Sequence, residues 1–280
     1  MDFFMVSTRA GKNGVVEVYP RFIVPTKKKS TDLMIRGGDF YAVWLQKKGF
    51  WSTEEGDALD AIDQELDAYV EKNRDSLDRV KVLHMWDAQT GMVDTWHKYC
   101  QKQLRDSFHM LDEKIMFSNS ECRKEDYASK KLAYPLEEGS IEAWDTLIST
   151  LYAEEERRKI EWAIGAVVSG ESKTLQKFLV LHGDRGTGKS TILNIIENLF
   201  GGYEKGYCAT FDAKALGSSN ASFALEAFRS NPLVAIQQDG DLSRIEDNTR
   251  LNSLVSHESM SVNEKYTKAF FNEDKAKEIR

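Results

Sequence analysis

The sequence predicts an α/β fold with a parallel-sheet core at the C-terminal end, a helical segment ahead of it and a small mixed α+β region at the N-terminus. Three observations carry that expectation. A short apolar run at 177–182 leads into a glycine-rich turn and then into Ile192, Ile195, Ile196 and Leu199 at helical spacing, the order strand, turn, helix. A second apolar run at 233–236 follows the turn signal Asn231-Pro232 and ends in acidic residues, as a buried parallel strand does. Ahead of both, a β-branched and aromatic beginning gives way at Thr53 to helical periodicity. The expected divisions are 1–133 for the mixed region, 134–172 for the helical segment and 173–280 for the sheet core.

Bulk composition narrows the function classes. With 280 residues, 41% hydrophobic and 30% charged, the chain can bury a sizeable core. No apolar run approaches the roughly 20 residues that span a bilayer, and the N-terminus lacks the order of a secretory signal, so a cytoplasmic setting without membrane contact is expected. Cys100, Cys122 and Cys208 are odd in number and share no CxxC spacing, which points to buried free thiols rather than a disulfide framework or a zinc site. The net charge of −7 excludes a chain that is basic throughout. Residues 1–36 nevertheless carry seven cations against three anions, and Lys27, Lys28 and Lys29 are either a solvated face or a nucleic-acid contact.

In the N-terminal half, 15–24 reads as an edge strand despite Pro20, and 39–51 as aromatic β structure broken at Gly49. Leu59, Ile62, Leu66 and Tyr69 then recur among acids, predicting an amphipathic acidic helix. A second helix is expected over 95–108, and a short strand over 114–117. Ser140 precedes Ile141, Trp144, Leu147, Ile148 and Leu151, while 154–168 holds Ile160, Ala163, Ile164, Val167 and Val168 before Gly170. Those patterns predict two packed helices with Trp144 and Trp162 as core aromatics.

The turn between 182 and 192 reads Gly183, Asp184, Arg185, Gly186, Thr187, Gly188, Lys189, Ser190, Thr191, the form GxxxxGKS. Glycines let a backbone curl so that successive N–H groups face phosphate oxygens, and the helix that follows adds its positive end. Lys189 is expected to reach the β and γ phosphates. Ser190 offers a small hydroxyl to Mg2+, and Thr191 extends the polar start of the helix. The pattern predicts a P-loop NTPase that binds ATP with Mg2+. It leaves phosphoryl transfer, hydrolysis and switching all open.

At the end of the second apolar run stand Gln237, Gln238, Asp239, Gly240 and Asp241. Asp239 is the expected metal carboxylate. Asp241 either polarises the attacking water or caps the next element. Ser243 to Glu246 has the form of a capping box ahead of Leu251, Leu254 and Val255, with Arg244 and Arg250 as surface cations. A strand is expected over 259–262. The turn at 263–268 presents Lys265, Tyr266 and Lys268, suited to a single-stranded backbone or simply to solvent.

Taken together, 134–268 resembles the superfamily 3 helicase domain, an AAA+ type, of phage, plasmid and poxvirus-type primase-helicases. The loop at 183–191 matches that family's Walker A, 233–241 its Walker B and 257–266 its B-prime motif. Residues 132–152 and the helices after them are similar to the segment ahead of the ATPase in phage members. The resemblance implies a hexameric ring that couples ATP hydrolysis to movement on single-stranded DNA, with Lys265 and Lys268 as DNA contacts and a primase or other replication proteins as partners. Two departures stand out. Gln237 and Gln238 occupy positions where relatives carry acids, and after Phe270-Phe271 the charged residues 272–280 hold none of the expected sensor strand or arginine finger. The resemblance therefore implies a core incomplete at its C-terminus. The first reading is an ATP-dependent DNA helicase. The second is a truncated or regulatory ATP-binding, DNA-associated protein without unwinding activity, and a small-molecule kinase, which shares only the loop, ranks last.

Overall fold

The computed structural model describes residues 1–23, 31–102, 108–203, 205–216, 225, 227–228, 231–240, 248–258, 260–262 and 277–279. They divide into two units, Met1–Met110 with Cys122–Ser129, and Leu111–Glu121 with Lys130–Arg280.

The first unit is built on two small sheets and two helices. Strands β1 (Phe4–Ala10) and β2 (Val16–Phe22) pair antiparallel. Three further strands, β3 (Leu33–Arg36), β4 (Asp39–Leu45) and β5 (Phe50–Ser52), form an antiparallel meander. Helix α1 (Glu55–Lys72) follows, and Ala58, Leu59, Ile62 and Leu66 form its buried stripe, the periodicity the sequence carries. Strand β6 (Val80–Val82) then adds parallel to β2. Helix α2 (Met92–Lys102) buries Trp96, Tyr99 and Cys100. These faces meet in one core with Phe3, Phe4, Val18, Leu33, Val43 and Met85.

Strand β2 is central rather than at an edge, because β6 pairs with its far side. Pro20 is accommodated by register. Ile23 donates to Phe3 O at 2.9 Å, so the alternation of an antiparallel ladder places Pro20 opposite Val6 in a non-bonded pair. Its nitrogen faces the side on which β6 has already ended at Val82.

In the second unit, α3 (Glu142–Leu151) and α4 (Glu154–Val168) form the expected helical pair. Arg157 joins them, its guanidinium bonded to Asp145 on α3 and, at 2.8 Å, to Glu161 on α4. Glu161 also accepts from Trp144 Nε1 at 2.8 Å. Trp144 packs against the core, whereas Trp162 is 50% exposed and is not the core aromatic expected. A short helix α5 (Ser172–Leu175) precedes α6 (Lys189–Leu199), and Ile192 and Ile196 bury α6 against Ile148, Ile160, Phe200 and Tyr207. Close backbone contact between Gly201 and Gly206, where a Cβ on Gly206 would meet Gly201 C at 2.3 Å, turns the chain into β7 (Cys208–Thr210).

The expected P-loop NTPase (AAA+) α/β core with a parallel sheet is corrected here. Among the described residues of this unit, the parallel sheet is a single pair, β7 with β8 (Val234–Ile236), three residues long. The run at 177–182, read as a strand of that sheet, joins no ladder. Phe178 is 57% and Val180 56% exposed. A fully buried parallel strand needs neighbours on both edges and cover on both faces, and the described residues supply neither to this run. Nor is 114–117 a strand. It is held by isolated bonds, Leu132 N to Met116 O at 2.8 Å and Ser118 N to Tyr134 O at 3.0 Å, with Met116 N donating to the buried Tyr207 hydroxyl.

Short helices α7 (Ala213–Leu216) and α8 (Thr249–Val255) flank the pair. Strand β9 (Met260–Val262) pairs antiparallel with β10 (Lys277–Ile279), so the charged C-terminal segment does carry a strand. No helix of the described residues is long and apolar enough to cross a membrane.

Of the thiols, Cys100 and Cys208 are buried and Cys122 is partly exposed. Burial, with Glu197 nearby, pushes the Cys208 thiol up to about 11, and burial raises Cys100 further. Both are neutral thiols at pH 8, and the thiolate is the reactive form. Maleimide at pH 8 is therefore expected to modify Cys122 alone in the folded chain and all three cysteines in denaturant. Peptide mass mapping checks this, and equal labelling of Cys208 before unfolding contradicts it.

Candidate functional site

The glycine-rich loop closes on itself through one cation. Lys189, the first residue of α6, folds back so that its Nζ donates to Gly183 O at 2.8 Å, Asp184 O at 2.6 Å and Thr187 Oγ1 at 3.3 Å. Thr187 Oγ1 in turn donates to Asp184 O at 2.9 Å. Gly183, Gly186 and Gly188 have φ of 152°, 80° and 80°, values at which a Cβ is strained. Nothing lies within 4 Å of where a Cβ of Gly186 would stand. The first intrahelical bond of α6 runs from Ile192 N to Gly188 O. The amides of Lys189, Ser190 and Thr191 thus precede the helical ladder and make the positive helix end. Ser190 and Thr191 are exposed on this first turn, and Asp184 and Arg185 are exposed on the loop.

Gly188 also meets a neighbour that sequence reasoning missed. A Cβ there would lie 2.8 Å from both Leu151 methyl carbons, so the end of α3 abuts the loop where it enters α6. Leu151 was legible as a helix residue, but nothing local marks its contact with a residue 37 positions on.

The end of β8 is tied to the same helix. Gln238 Nε2 donates to Asn194 Oδ1 at 3.4 Å. Tyr203 bridges Glu197 of α6 and Gln238, and burial first, then the Glu197 bond, push its hydroxyl up to about 12. Gln237 Oε1 accepts from Ala213 N at 3.1 Å, and its Nε2 reaches Asp212 at 3.4 Å. The two glutamines that depart from the acidic pattern thus hold the strand end against α6 and α7. Asp239 comes next, exposed and left-handed at φ 54°, at the strand end latched to the helix that carries Ser190. Asp241, Arg244, Lys265, Lys268 and the run Lys27, Lys28, Lys29 lie outside the described residues, as does the turn at 263–268.

The donor set fits a polyphosphate: an ammonium, unladdered amides at a helix start, two hydroxyls and three glycines without Cβ atoms in the turn. No group of three or more His, Cys, Asp or Glu side chains among the described residues could by itself hold a metal ion. Ser190 and Asp239 could complete a shell around a cation that arrives with phosphate oxygens.

Substituting Gly188→Ala is expected to cost about 1–2 kcal/mol from the left-handed backbone alone. Adding Leu151→Ala removes the side-chain contact without restoring that cost. Chemical denaturation of the two single variants and the double variant checks this, and a Gly188→Ala chain as stable as the parent contradicts the geometry.

Residues 181–279, which include the end of the loop's approach, all of α6 and both strands of the parallel pair, match a family model described as a family of unknown function (DUF5906). No curated protein and no solved structure matches the chain.

Proposed function

We propose that this chain binds ATP with Mg2+ through residues 183–191 and acts as an ATP-dependent DNA helicase of a phage-type replication machinery. The observation that carries the reading is the Lys189 ammonium, held over a glycine turn at the start of a helix by acceptors that phosphate oxygens can replace. The nucleotide supplies a phosphoanhydride whose terminal phosphoryl group water can accept.

The chain's own residues do the rest. Lys189 exchanges the Gly183 and Asp184 carbonyls for anionic oxygens, a stronger class of hydrogen bond. The amides at 189–191 bind the same anion without any proton moving, and Ser190 with Asp239 orients the cation. Asp241 is the proposed water-polarising acid, and Lys265 and Lys268 the proposed contacts to single-stranded DNA. A homo-oligomeric ring of six copies, working beside a primase or other replication proteins, completes the reading.

A second reading, a regulatory ATP-binding and DNA-associated protein that does no unwinding, is favoured by one observation. Gln237 and Gln238 are engaged in holding Asp212, Ala213, Asn194 and Tyr203, and neither amide can act as a base.

Lys189→Ala is expected to weaken Mg2+–ATP binding by about 10- to 100-fold, the worth of roughly 1.5–3 kcal/mol for a hydrogen bond to a charged group. Titration calorimetry on parent and variant measures it. Equal affinity of the two, or no nucleotide affinity in the parent, overturns the proposal. Strand displacement by the parent then separates the readings, since the second predicts binding without displaced strand.

A further inference from the structure

The first unit contains a stack of rings that no part of the proposed nucleotide site uses. Trp51, 2% exposed on β5, anchors it. Its Nε1 donates to Lys124 O at 2.9 Å, and its backbone N donates to Ala128 O at 2.9 Å. Those two bonds pin the chain at 124–128 over the sheet. Tyr127, left-handed at φ 47°, is thereby laid on Trp51 with centroids 5.9 Å apart and planes 22° apart. His109 lies flat on Tyr127 at 4.3 Å and 19°. The order is buried indole, half-buried phenol, exposed imidazole. The backbone at His109 is itself fixed, since its N donates to Met34 Sδ on β3 at 3.4 Å.

Beside His109 in sequence, Phe108 meets Tyr41 edge-on at 4.6 Å. The Arg36 guanidinium lies over both rings, 4.8 Å from Phe108 and 5.7 Å from Tyr41. A guanidinium thus lies over the ring of the residue that immediately precedes the exposed, pre-stacked His109. Arg36 also closes the segment 1–36, in which cations outnumber anions seven to three.

We propose that this face of the first unit binds single-stranded DNA, with a base stacked on His109 and a neighbouring phosphate at Arg36. Stacking on a planar side chain is open to any base with an uncovered face, and only an unpaired strand offers such faces along a charged backbone. The ring costs little to order, because Tyr127 and Trp51 already hold it. The site uses none of the residues at 183–191, and it does not require nucleotide binding.

The test is fluorescence anisotropy of a labelled dT15 oligonucleotide with the full chain, without nucleotide. His109→Ala is expected to weaken binding about tenfold, within the range of one lost base stack, and His109→Phe is expected to stay within about twofold of the parent. Lys189→Ala is expected to bind as the parent does, which separates this site from the proposed nucleotide loop. No binding by the parent, equal binding by His109→Ala, or the same loss in His109→Phe as in His109→Ala overturns the stacking proposal. So does equal binding of a 15-base-pair duplex, which would mean phosphate attraction alone. Competition by dTMP at the concentration at which dT15 competes would mean a mononucleotide pocket, and it too overturns the proposal.

Discussion

The second unit depends on how α6 begins. A helix preceded by a left-handed glycine has no side chain between the turn and its first amides, so the loop can fold back over them. Ile192 and Ile196 then lock the helix into the core, which leaves the first turn rigid and facing outward. Lys189 satisfies the carbonyls of the turn that would otherwise point at its ammonium's position without a donor. From that one arrangement follow the exposure of Ser190 and Thr191, the seat of Leu151 against Gly188, and the latch from Gln238 to Asn194.

Polar side chains, rather than a sheet, connect this helix to its surroundings. A three-residue parallel pair contributes few ladder bonds, whereas Gln237, Gln238, Tyr203 and Glu197 join β8, α6 and α7 through side-chain hydrogen bonds. Such bonds are each worth about 1 kcal/mol net, but they fix register in a way that burial alone does not. The same economy operates in the first unit, where Asp2 accepts from Thr31 and Asp32 to close the start of the chain on the β3 approach. There Trp96 of α2 meets Phe22 of β2 and Phe3 just ahead of β1, with ring centroids 5.4 and 5.6 Å away.

Features encoded locally were legible in the sequence. The stripe of α1, the helices α3 and α4, the α6 run and its glycine ending, and the strand after Asn231-Pro232 all rest on periodicity or on a neighbour within four residues. Features decided by distant partners were not. The run at 177–182 has strand composition, but composition does not create a neighbour to pair with. Pro20 suggested an edge, and only the short length of β6 reveals how a central strand tolerates it. Trp162 sits at helical spacing with core residues, yet its side of α4 is the one left half exposed. The candidate loop was legible residue by residue because its chemistry is written in consecutive positions. Leu151, Tyr203 and the stack from Trp51 to His109 were not, because each joins residues far apart in sequence.

That division bears on what the loop can do without a large sheet. Anion binding by a glycine turn and a helix start uses amides and one lysine that are contiguous in sequence, and its geometry is fixed once α6 is buried. Turnover differs, because the carboxylate that would help hold the cation must come from another element and keep its position to within about 0.5 Å. In this chain the strand end that carries Asp239 is secured to α6 through Gln238, so that amide also determines where the next carboxylate stands. On the proposed reading, affinity for a triphosphate and the rate of its cleavage would therefore be separable, one resting on the start of α6 and the other on a latch between side chains.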